Sequence, residues 1–93
     1  MPEVNFHVRW PDGRVERCYS PSTVIREHFN PGDQMTLAEF RQRSEAALTE
    51  ASARVAAKFG YHCSSAADQL RIIQQRLASF EDDKQQITIL EMD

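Results

Sequence analysis

Apolar and polar residues alternate with period two in Val4-Asn5-Phe6-His7-Val8-Arg9-Trp10. That alternation predicts a half-buried strand with Val4, Phe6, Val8 and Trp10 facing a core. Pro11-Asp12-Gly13 then reads as a turn, with proline at its second position and Gly13 free to take the positive φ of a bulge residue. Arg14 to Ser20 is the expected return strand. A bulged turn sets Phe6 opposite Cys18 and leaves Tyr19 on the outer face, whereas a tight Asp12-Gly13 turn puts Val15 and Tyr19 on the core face. The tight turn needs a backbone donor from Pro11, which proline lacks, so the pattern favours the bulge.

Ser20-Pro21-Ser22-Thr23 reads as the start of a short helix whose inner face is Val24, Ile25, His28 and Phe29, ended by Asn30-Pro31-Gly32-Asp33. Thr36-Leu37-Ala38-Glu39 is a capping box, with Met35 and Phe40 at the hydrophobic-staple positions. It opens a long helix that runs to Phe59 with Gly60 beyond it. Leu37, Phe40, Ser44, Ala47, Leu48, Ala51, Val55 and Phe59 fall at three- and four-residue spacings. Ser64 or Ser65 caps a last helix, Asp68 is placed to favour its positive end, and Ala66, Leu70, Ile73, Leu77 and Phe80 form its stripe. After the charged turn Glu81-Asp82-Asp83-Lys84, residues Gln86 to Met92 predict a final strand. Ile87 and Ile89 fall on one of its faces and Leu90 and Met92 on the other, so it is central or covered. The order β-β-α-α-α-β gives an α+β fold: a small antiparallel sheet of about three strands with helices packed on one face.

Ninety-three residues suit one domain spanning 1–93. With 41% hydrophobic and 27% charged residues, the chain has enough apolar surface for a core, which sets disorder aside. The net charge of -3, from 14 acidic against 11 basic side chains, argues against a nucleic-acid partner, which calls for a basic surplus. No apolar run approaches the roughly 20 residues that span a bilayer, and the first residues have no secretory pattern. A cytoplasmic location is therefore expected, with no membrane partner and with Cys18 and Cys63 as reduced thiols.

Candidate chemistry is sparse. Cys63 beside His62, just before a helix start, is the one place where a thiolate would be stabilised; a small buried hydrophobe is the commoner role of such a cysteine. His7, Cys18, His28, His62 and Cys63 fit no metal-ligand spacing, and the isolated glycines make no phosphate loop, so no metal or cofactor is expected. Arg9, Arg14 and Arg17 cluster on the hairpin, where exposed guanidinium groups can receive an acidic partner or a small anion.

Several blocks together resemble a known family. They are Arg9-Trp10-Pro11-Asp12-Gly13, Cys18-Tyr19-Ser20-Pro21-Ser22, Arg43-Ser44, Ala47-Leu48, Arg54-Val55 and the run Lys58 to Leu70. The family is that of the small nitrogen-starvation-response proteins encoded in bacterial nitrilase gene clusters. The likeness extends along the full chain and is most specific in the two blocks that contain cysteine and serine. It implies a context: such clusters encode a nitrilase, a radical enzyme, an acetyltransferase-like protein and a flavin oxidoreductase, and are linked to scavenging nitrogen, cyanide-derived nitrogen included. It brings no catalytic residues with it. Tyr19, Ser20, Cys63, Ser64, Asp68 and Gln69 match the family pattern without assigned roles.

Three functions follow, in this order. The first is a non-catalytic accessory or regulatory module that binds a protein partner from the same gene cluster. The second is a small ligand-binding protein or thiol-dependent enzyme built from Arg17, Cys18, Tyr19 and Ser20 together with His62, Cys63, Ser64, Ser65 and Asp68. It requires the end of the second strand to approach the start of the last helix, where free backbone donors suit an anion. The third is a homodimer formed through the sheet edges.

Overall fold

The structure, a computed structural model, describes residues 3–60 and 64–92. Strand β1 (Val4–Arg9) and strand β2 (Val15–Ser20) form the hairpin, followed by a 3-10 helix (Thr23–Glu27), strand β3 (Gln34–Thr36), helix α1 (Leu37–Phe59), helix α2 (Ser64–Ala78) and strand β4 (Gln86–Met92). The four strands pair antiparallel in the order β2-β1-β4-β3, so the first and last strands of the chain form the centre of the sheet. No described helix is long and apolar enough to cross a membrane.

The hairpin adopts the bulged turn. Gly13 N–H donates to the Trp10 carbonyl at 2.9 Å, Trp10 N–H donates to the Arg14 carbonyl at 2.8 Å, and Gly13 takes φ 90°. Phe6 therefore stands opposite Cys18, and Val15, Arg17 and Tyr19 share the outer face.

Two elements differ from the sequence pattern. The first expected helix is a single 3-10 element, capped where the Ser22 hydroxyl accepts from Val24 N–H at 3.3 Å. The β-branched run Thr23-Val24-Ile25 suits an α-helix poorly, and Pro31 disfavours helical backbone at Asn30, so the turn does not propagate. The sheet also holds a fourth strand, β3, against about three expected. Its three residues show no period of their own; pairing of Met35 with Ile87 on β4 creates it.

Helix α1 begins as the capping residues indicate, with Thr36 Oγ1 accepting from Glu39 N–H at 3.2 Å. Glu39, however, turns its carboxylate to Arg43 at 3.0 Å rather than back to the cap. Thr36 is already the last residue of β3, and the lead-in to β4 continues that pairing into the helix: Leu37 and Ala38 N–H donate to the carbonyls of Gln85 and Asp83.

Both helices and the 3-10 element pack on one face of the sheet. Val4, Phe6, Val8, Trp10, Cys18, Ile87 and Ile89 from the strands meet Leu37, Phe40, Ala47, Leu48, Ile73 and Leu77 from the helices. A chain of ring contacts runs through this core. Phe6 stacks on Phe29 at 6.0 Å, Phe29 lies 5.5 Å from Phe40, Phe40 meets Trp10 edge-on at 5.7 Å, and Trp10 stacks on Phe80 at 5.7 Å. Such pairs add roughly 0.5–1.5 kcal/mol each beyond the area they bury, and here they join every layer of the fold.

Leu90 interrupts the pairing of β4 with β1: Val8 faces Ile89, but His7 faces Glu91 and Phe6 faces Met92. The extra residue is a β-bulge, and it reverses the face of whatever follows. Met92, expected beside Leu90 on the outer face, consequently returns to pack on the core.

Candidate functional site

The end of β2 meets the second turn of α2. Tyr19 N–H donates to the Gln69 side-chain oxygen at 3.0 Å across 50 residues of sequence. Further along the same strand, Glu16 accepts from the Trp10 indole at 3.0 Å and from Arg76 at 3.2 Å, so α2 is fastened to β2 at two points. Gln69 is buried at 9% exposure, on the stripe that otherwise holds Ala66, Ile73 and Leu77. Its place was readable as a polar residue at a core spacing, which calls for a buried partner.

The residues singled out from sequence separate at this junction. Cys18 is wholly buried opposite Phe6; burial, with Glu16 nearby as a smaller cause, pushes its thiol up to about 12. A thiol held neutral inside the core is a poor nucleophile. Ser20 is likewise sealed, its hydroxyl donating to the Ser22 carbonyl at 2.8 Å and accepting from Ser22 N–H at 3.3 Å. With Ser22 capping Val24, these hydroxyls use the backbone donors that an anion at the 3-10 turn would need. Asp68 is exposed, lies beyond the first turn of α2 and pairs with Arg71 at 2.6 Å, outside the reach of the helix-end dipole. Ser64 and Ser65 start α2; their side chains, with all of His62 and Cys63, lie outside the described residues. Arg17 and Tyr19 point to the outer face, Arg17 exposed and Tyr19 partly covered.

That outer face is bare of described helices and carries a polar cluster centred on His7. His7 lies between Arg17 on β2 and Glu91 on β4, and Arg9 follows two residues along β1. His7 Nδ1 is buried and has no hydrogen-bond partner among the described residues. It sits at the bulge, where strands commonly re-aim a side chain. Six arginines, Arg14 of the hairpin among them, face carboxylates at 2.6 to 3.6 Å. Arg9 and Arg17 face none among the described residues. His7 and Cys18 point to opposite sides of the sheet and His28 is bound to Glu50 at 3.0 Å, so these three do not converge on a metal.

One further concavity, a groove of about 260 Å³ between α1 and α2, is walled by Leu48, Ala53, Ala66 and Leu70 with Thr49 and Ser52 at its rim. It offers apolar contact and two hydroxyls, without charge.

These features define a small α+β protein whose helices cover one side of an antiparallel sheet and whose other side presents two arginines, Arg9 and Arg17, that face no carboxylate among the described residues. The chain matches the family of nitrogen starvation-induced protein NitG over residues 5–92, and it belongs to that family. No curated protein and no solved structure matches it.

Proposed function

We propose that this protein is a non-catalytic accessory component of the nitrogen-starvation response that acts by binding a partner protein, and that it serves assimilation of nitrile- and cyanide-derived nitrogen. Membership of the NitG family supports the physiological context. The observation that carries the binding role is the open side of the sheet, where Arg9 and Arg17 stand without carboxylate partners among the described residues while the other hairpin cation, Arg14, is neutralised by Asp12 at 3.6 Å. Ion pairs at a protein surface form readily, so guanidinium groups held clear of acidic neighbours are available to a second molecule. The partner is a protein encoded in the same gene cluster.

Affinity capture from nitrogen-starved cells at native expression tests the role. One protein should be enriched in stoichiometric amount under starvation and be absent from nitrogen-replete cells. A 10.7 kDa chain that migrates alone under both conditions refutes the reading.

A further inference from the structure

We propose that the Arg9–His7–Arg17 surface of the hairpin is the docking face and that an acidic segment of the partner occupies it. This rests on the accessory reading above and adds the chemistry of what is bound.

The strand geometry supplies the first argument. Tyr19 N–H points away from β1, because it bonds Gln69 on the far side of β2. In an antiparallel ladder the pairs Tyr19–Asn5, Arg17–His7 and Val15–Arg9 are then those without mutual hydrogen bonds, whose side chains stand closest. Arg17 thus flanks the His7 ring across the strand, and Arg9 flanks it along the strand. Val15, 55% exposed, lies opposite Arg9 and gives the same surface an apolar contact.

Charge supplies the second. Two guanidinium groups on neighbouring strands present planar arrays of donors that match carboxylates, and neither is engaged with a described residue. Glu91 borders the cluster on the β4 side and confines the cationic area to the hairpin. With one aromatic residue, Tyr19, on its outer face, the hairpin offers little surface for base stacking, which favours an acidic peptide over a nucleic acid.

The third argument is His7. Its buried Nδ1 has no partner among the described residues, which costs stability, and it lies at a bulge opposite Arg17 and two residues from Arg9. Such a residue detracts from the fold of the free protein and fits a role in the complex.

The test titrates a synthetic hexaglutamate peptide into the full chain at low salt and follows backbone amide shifts. Shifts should centre on His7, Arg9 and Arg17, and the R9A/R17A variant should bind at least ten-fold more weakly. Arg26→Ala, which removes an exposed cation on the 3-10 helix, should change binding less than two-fold. His7→Phe keeps an aromatic ring and removes the buried nitrogen; it should weaken binding while the melting temperature stays equal or rises. An unshifted hairpin, an equal loss in R26A, tighter binding of oligothymidine to the same residues, or unchanged binding in H7F would each overturn the proposal. Capture from starved cells separates the two readings. If R9A/R17A recovers the same partner in the same yield as wild type, the docking face is wrong and the accessory role stands. If wild type recovers no partner, the accessory role falls and takes the docking face with it.

Discussion

The backbone amide of Tyr19 donates to the side chain of Gln69 at 3.0 Å, so α2 occupies the position on the β2 edge where another strand would pair. Edge strands invite pairing with other chains, and a side-chain amide from a packed helix blunts that tendency. Replacing Gln69 by Leu keeps most of the volume and leaves Tyr19 N–H without its acceptor. Q69L should lose about 1–3 kcal/mol in urea unfolding, and amide exchange at Tyr19 should quicken. Gln69→Glu retains an acceptor oxygen and should lose less.

Glu16 joins Trp10, just past the end of β1, to Arg76 on α2, with its side chain only 19% exposed. Glu16→Ala strands the indole N–H and should cost about 1–3 kcal/mol, with a shift in tryptophan emission. Arg76→Ala removes a group that is more than one-third exposed and should cost under about 1 kcal/mol. Equal losses in the two variants would contradict this hierarchy.

The Cys18 thiol is raised from an ordinary value of 9.0 to about 12 by its burial. In the native protein at pH 8 it should resist iodoacetamide and become reactive only in denaturant, as read by peptide mass spectrometry. The neutral thiol stabilises the fold fully below pH 9.0, and that contribution declines as pH rises towards 12.

At the other end of the pH scale, Glu50 is held below its ordinary value of 4.5, first by the hydrogen bond from His28 and then by Arg54. Its contribution is present above pH 4.5 and is lost as pH falls through the lowered folded-state value. Glu50→Gln should therefore be less stable than wild type at pH 6, and the gap in melting temperature should close on acidification. A gap that is constant down to pH 2 would show that the carboxylate is not the source.

Thr36 serves two elements, closing β3 and capping α1. Thr36→Ala should lose about 0.5–2 kcal/mol, whereas Thr36→Ser, which keeps the hydroxyl, should lose less. Thermal unfolding by circular dichroism measures both.

Much of this arrangement was legible in the chain. The face of β1, the bulged turn and the core stripe of α1 follow from local spacing and from the chemistry of Pro11, Gly13 and Thr36. The candidate site was only partly legible. Tyr19 was assigned to the outer face through the register, but Cys18 and Ser20, its immediate neighbours, alternate inward and are sealed. His7 could be placed on the polar side of β1, yet nothing in the sequence indicated that Leu90, more than 80 residues away, would bulge beside it. Gln69 carried a signal, a polar side chain at an apolar spacing, without revealing its partner.

By itself, the sequence determined the two hairpin strands, the two long helices and the last strand, where α1 starts, and which residues of β1 and α1 face inward, because propensity, capping and periodicity act over a few residues. Only the tertiary structure decided that β4 enters between β1 and β3, that a three-residue segment becomes a strand, and that Met92 returns to the core. It also decided that His7 stands beside Arg17 and Glu91 at a bulge, with Arg9 and Arg17 facing no carboxylate among the described residues. Those outcomes depend on pairing between distant segments, whose cost in chain entropy is offset only when the whole sheet closes over the helices.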